Sequence, residues 1–100
     1  MLKHIVMWKL KEHAEGAERA ANAREMKRRL DECANIVPGM RTFEVILAQP
    51  GLEANYDVVL YSEFENREAL EAYVKHPTHQ ALIPFIGAIR EGRQCMDYIV

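Results

Sequence analysis

No stretch of this chain approaches the roughly 18 consecutive apolar residues that a membrane-crossing helix needs. The opening "MLKHIVMWKLKE" sets lysines inside its short apolar run and carries no small-residue cleavage site. The expectation is therefore neither signal peptide nor transmembrane helix, and a cytoplasmic location. An excess of one charge is missing too: 13 basic against 15 acidic side chains leave a formal charge of -2. That is too little to draw nucleic acid or an anionic membrane surface, so neither is expected as a partner. Cysteine is scarce, with Cys33 and Cys95 far apart and at no metal or redox spacing. Two reduced thiols packed as small hydrophobes is the favoured reading, with a disulfide left open. No low-complexity tract or charge block interrupts the 100 residues, of which 49% are hydrophobic. One globular domain over residues 1–100 follows, with a modest core that oligomerisation would enlarge.

What is present is periodic. "LKHIVMWKL" alternates, with Leu2, His4, Val6, Trp8 and Leu10 on one face and Lys3, Ile5, Met7 and Lys9 on the other, which predicts a strand apolar on both faces. After "KEHAEG", Ala23, Met26, Leu30, Cys33 and Val37 step by three and four residues, which predicts a helix ending before Pro38 and Gly39. Its basic cluster Arg24, Lys27, Arg28 and Arg29 is balanced by Glu18, Glu25, Asp31 and Glu32 and reads as a solvated helix face. "MRTFEVILAQP" and "YDVVLYSEF" read as two strands of a hairpin around Pro50-Gly51. Asn66 is a cap for a helix in "REALEAYVK", which Pro77 ends. In "THQALIPFIGAIREG" Thr78 is a candidate cap and Leu82, Phe85, Ile86 and Ile89 point inward. Pro84 predicts a broken helix that restarts around itself, closed by Gly92, before a last strand in "RQCMDYIV".

The order β-α-β-β-α-β is the ferredoxin-like α+β plan, a four-stranded antiparallel sheet with its helices on one face. The uncovered face would carry Ile5, Met7, Val59 and Tyr61. An apolar sheet face of that size marks an interface, and the simplest closure is a homodimer whose two sheets pack into a barrel.

"LKHIVMWKLKE", "IVPGM", "YDVVLYSEFENREALEAYVKHPTHQ" and "DYIV" together resemble the stress-responsive dimeric α/β-barrel (Dabb) family across essentially the whole chain. The resemblance implies a barrel dimer; separately, no cofactor is expected. It also points to the plant polyketide cyclases of that group, which close a tetraketide by an aldol step with a tyrosine and a histidine. By position these match Tyr73 in "EAYVKHP" and His79 in "HPTH", and His4 matches a pocket-lining histidine. His79 could then remove a proton alpha to a carbonyl while the Tyr73 phenol hydrogen-bonds the developing enolate oxygen. The implied ligand pocket is lined by His4, Val6, Trp8, Leu30, Leu60, Ser62 and Phe85. Leu30 stands where the cyclases have a pocket tyrosine, and Trp8 and Ser62 stand where they have aliphatic groups.

Other readings accompany these residues. His76, before Pro77, can bond the last free carbonyls of a helix. His79 can be a satisfied, half-buried histidine bonded to backbone or to Tyr73, and Tyr73 a core aromatic. A metal site of His4, His76 and His79 is disfavoured, since no carboxylate or cysteine falls at a ligand spacing. Two functions result: a cytosolic homodimer binding a small, mostly apolar, carbonyl-type ligand, with His/Tyr acid-base chemistry on it, or a non-catalytic stress or assembly protein with a filled pocket. For the first, the spacing predicts His79 and Tyr73 within hydrogen-bond reach, directly or through one water, with His76 turned to the helix end or solvent.

Overall fold

The alternation of the first residues becomes strand β1, Leu2–Leu10, whose even-numbered side chains are buried while Ile5 and Met7 are half-buried on the other face. The computed structural model describes residues 1–100. The short pair β2 (His13–Ala14) and β3 (Ala17–Glu18) turns the chain, through positive φ at Glu15 and Gly16, into helix α1, Arg19–Asp31. Strands β4 (Met40–Leu47) and β5 (Val58–Phe64) follow as an antiparallel hairpin. Helix α2 (Arg67–Lys75) begins at Asn66, whose side chain accepts from the Ala69 amide at 2.9 Å. Two short helices, α3 (Pro77–Gln80) and α4 (Ile83–Ile89), lead into β6, Arg90–Ile99. The sheet order is β4-β5-β1-β6, with all neighbours antiparallel, which is the ferredoxin-like α+β arrangement. No helix is long and apolar enough to cross a membrane.

The core lies between one sheet face and the helices. Leu2, Val6, Trp8 and Leu10 of β1 meet Met26 and Leu30 of α1, Val58, Leu60 and Phe64 of β5, and Tyr73 of α2. Burying such side chains is worth about 1.5–3 kcal/mol each, so this shared face, rather than helix propensity, holds the segments down. The opposite sheet face has no covering element: Ile46 and Met96 are 41% and 66% exposed, alongside the half-buried Ile5, Met7, Val59 and Tyr61.

Three boundaries depart from the sequence pattern. Helix α1 stops at Asp31, six residues before the position that Pro38 implied, because amides of Cys33 and Ala34 close tight turns onto Leu30 and Asp31 and Asn35 takes a left-handed φ of 58°. Cys33 stays buried and Val37 half-buried, so the apolar spacing continued on turns. Thr78 is no cap; the imidazole of His76 takes that role. Gly92 closes no helix. It sits in β6 opposite Lys9, beside an irregularity in the β1–β6 register. Both cysteines are free thiols, and Cys95 is exposed rather than packed. The break around Pro84 is as the sequence predicts, with Pro84 in the first turn of α4.

Candidate functional site

Between the sheet and the segment from α2 to α4 lies a cavity of about 410 Å³. Of the residues singled out in the sequence, His4, Val6 and Trp8 of β1, Leu30 of α1, Leu60 of β5, Tyr73 of α2 and His79 of α3 all line it. Ser62 and Phe85 do not. The Ser62 hydroxyl is fully buried and donates to the His4 carbonyl at 3.0 Å, which ties β5 to β1. Phe85 lies under the guanidinium of Arg29, 4.0 Å from ring centroid to cation, a cation–π contact between α4 and α1. Trp8 is buried in the wall and leaves the cavity open.

The two histidines of "HPTH" have distinct tasks. Pro77 in the first turn of α3 forces a new helix start, and His76 serves it: its Nδ1 accepts the Thr78 amide at 3.1 Å. His76 thus caps a helix N-terminus with a lone pair, where the sequence suggested donation to a helix C-terminus. That second role falls to His79. The carbonyl of Val74, left free in the last turn of α2, accepts from His79 Nδ1 at 2.9 Å and from Gln80 Nε2 at 2.7 Å. Since a carbonyl can only accept, the Nδ1 proton is assigned, and in the neutral ring Nε2 carries the free lone pair. Burial pushes the His79 imidazole below its ordinary 6.5; the Val74 bond opposes this, and the charges of His4 and Arg93 add to it. The ring is consequently neutral at pH 7 and competent to accept a proton at Nε2.

Tyr73 is packed on every side. Its ring lies 4.7 Å from that of His79, 5.4 Å from Phe64, 6.0 Å from Phe43 and 6.5 Å from His4. Burial, with Cys33 nearby, holds its phenol well above the ordinary 10, so it remains a donor. The Tyr73 hydroxyl makes no direct hydrogen bond with His79; it is buried and has no partner. His4 is fixed by Asp97 of β6, its Nδ1 lying 2.5 Å from Oδ1, across the register pair that joins the two strands. A carboxylate only accepts, so here too Nδ1 is the donor and Nε2 is left free.

Sequence reasoning missed Val74, Ile83, Ile86, Gly87, Arg90 and Arg93, which complete the lining. The signal for Arg93 was the alternation of "RQCMDYIV": pairing Arg93 with Trp8 and Asp97 with His4 puts those side chains on the pocket face.

Fold and cavity define a ferredoxin-like α+β domain with a cleft between its helices and sheet. The chain belongs to the stress responsive A/B barrel domain (Dabb) family, whose sequence model matches residues 2–100. A search of curated proteins finds no match. Among solved structures, a dimeric protein of unknown function with a ferredoxin-like fold from Bacteroides fragilis is 29% identical. The match covers 99% of this chain and 95% of that one at a TM-score of 0.82. A dimeric ferredoxin-like protein of unknown function from Jannaschia sp. is 27% identical, over 99% and 98% of the two chains, at a TM-score of 0.75. A Dabb family protein from Mesorhizobium loti shares the fold at 23% identity and a TM-score of 0.73, over 99% and 95%.

Proposed function

We propose that this protein is a homodimer that takes a small, mostly apolar, carbonyl-bearing ligand into the cavity of each subunit. The observation that carries this reading is the Tyr73 hydroxyl, a buried donor with no partner in the wall of a cavity that His79 also lines. Buried hydroxyls are almost always paired, and an orphan beside a cavity is explained by a polar ligand atom. In the bound state Tyr73 donates to the ligand oxygen. His79 Nε2 accepts a proton from the adjacent carbon, so that electron density moving onto the oxygen meets the phenol proton. For a ligand with a second carbonyl, the enolate carbon bonds to that carbonyl carbon as its C=O π bond opens onto oxygen, and this oxygen takes the proton back from Nε2, which balances an aldol-type closure without any redox partner.

The dimer forms through the uncovered sheet face around Ile5, Met7, Val59 and Tyr61. Two relatives described as dimeric, at 29% and 27% identity, support it together with the lack of any covering element on that face. The alternative, an assembly protein with a filled pocket, is disfavoured by the volume left open beside Trp8. The test is a thermal-shift screen of carbonyl compounds on wild type, Tyr73→Phe and His79→Ala. Compounds that raise the Tm of the wild type alone support the reading. Equal shifts in all three proteins would overturn it.

A further inference from the structure

We infer that the ligand carries an oxyanion headgroup, a carboxylate or a phosphate, held by Arg90 and Arg93 where β6 borders the cavity. This rests on the cavity being a ligand site and names the class of ligand it takes. No acidic side chain is among the lining residues, whereas two guanidiniums are. Neither the Arg90 nor the Arg93 guanidinium forms a hydrogen bond or an ion pair within the chain, although the Arg90 amide caps α4 by donating to Ile86. By contrast, Arg28 and Arg29 are held by Glu25, and Arg41 is held by Glu65. Glu91, between the two arginines in β6, forms no ion pair with either, and Asp97, further along the strand, is committed to His4.

Both arginines lie at the start of β6, with Arg93 opposite Trp8 and Arg90 opposite Leu10. The cavity thus has a cationic rim around an apolar body formed by Val6, Trp8 and Leu60. That polarity fits an amphipathic molecule with its charge at one end. A guanidinium presents paired N–H donors in the spacing of two carboxylate or phosphate oxygens, which makes it selective for such a headgroup over a neutral amide. Arg93 is also near enough for its charge to bear on the His79 imidazole, which places the rim beside one of the two cavity histidines.

Isothermal titration at low salt with octanoate, octanamide and octyl phosphate would test the inference on wild type and on the Arg90→Gln/Arg93→Gln double variant. Wild type should bind at least one anion about tenfold or more tighter than octanamide. In the variant that gap should close while octanamide binding is unchanged. Preference for octanoate over octyl phosphate assigns a carboxylate, and the reverse assigns a phosphate. Equal binding of all three by wild type, or an anion preference that survives in the variant, overturns the headgroup assignment and leaves the cavity as a ligand site. If none of the three binds, the ligand-site reading and the headgroup fall together.

Discussion

Replacing Tyr73 by Phe deletes one oxygen and leaves the ring among Phe64, Phe43, His4 and His79 unchanged. That oxygen is sealed from solvent and has no hydrogen-bond partner. A buried polar group in this condition costs about 1–3 kcal/mol, whereas a satisfied buried hydroxyl contributes about 1 kcal/mol. The two situations give opposite signs on mutation. With the geometry found here, Tyr73→Phe should stabilise the ligand-free protein by about 1 kcal/mol, which for a domain of this length raises Tm by roughly 4–8 °C. Stabilisation by any bound carbonyl compound should vanish in the same variant. Guanidinium unfolding at several protein concentrations measures the first effect, since the apparent stability of an oligomer depends on concentration. A loss of about 1 kcal/mol at unchanged m-value would refute the reasoning, because the hydroxyl would then be structurally satisfied and unavailable to a ligand.

Other perturbations separate the remaining roles. Met7→Lys with Val59→Lys puts two unpaired cations per subunit into the proposed interface and should dissociate the dimer in sedimentation; a wild-type monomer at micromolar concentration would sink the barrel. Because the folded pKa of His79 lies below its unfolded 6.5, the unfolded chain binds more protons between the two values. Stability should therefore fall as pH drops through that window and be fully present above it, and His79→Gln should lose this component when the two proteins are titrated side by side. His76→Ala should cost about 1 kcal/mol through the lost cap on α3, and His76→Asn should restore most of it; equal losses in urea titration would contradict the cap. Gly39→Ala should cost about 2 kcal/mol in the same assay, since φ is +88° and a Cβ there would lie 2.9 Å from that of Ala69.

Where the sequence alternates or repeats cleanly, it was sufficient. The face of Leu2, His4, Val6, Trp8 and Leu10, the Asn66 cap and the break at Pro84 could all be read from it, because pleat, cap and proline act within a few residues. The end of α1 was illegible, since apolar residues at helical spacing ran on into turns that the left-handed Asn35 imposes. Ser62 and Phe85 were placed on the correct faces, yet whether they border a cavity depends on partners distant in sequence, the His4 carbonyl and Arg29. Arg90 and Arg93 were missed for a related reason: an exposed arginine on an edge strand means nothing until the register sets it across from Trp8 or Leu10.

The "HPTH" segment shows how a structural duty and a chemical one can share a residue. A histidine that closes a helix end is usually counted as spent, and His79 does close α2 by donating to Val74. Yet it is this bond that assigns the Nδ1 proton, orients the ring and leaves Nε2 as the basic nitrogen, while burial keeps the ring neutral. His76 is different, because its Nδ1 lone pair is consumed by the Thr78 amide and its ring does not reach the cavity. The asymmetry originates in Pro77. By ending α2 and starting α3, it places one histidine before the new helix, where only a lone pair is useful, and the other inside it, where a proton is needed by the helix behind.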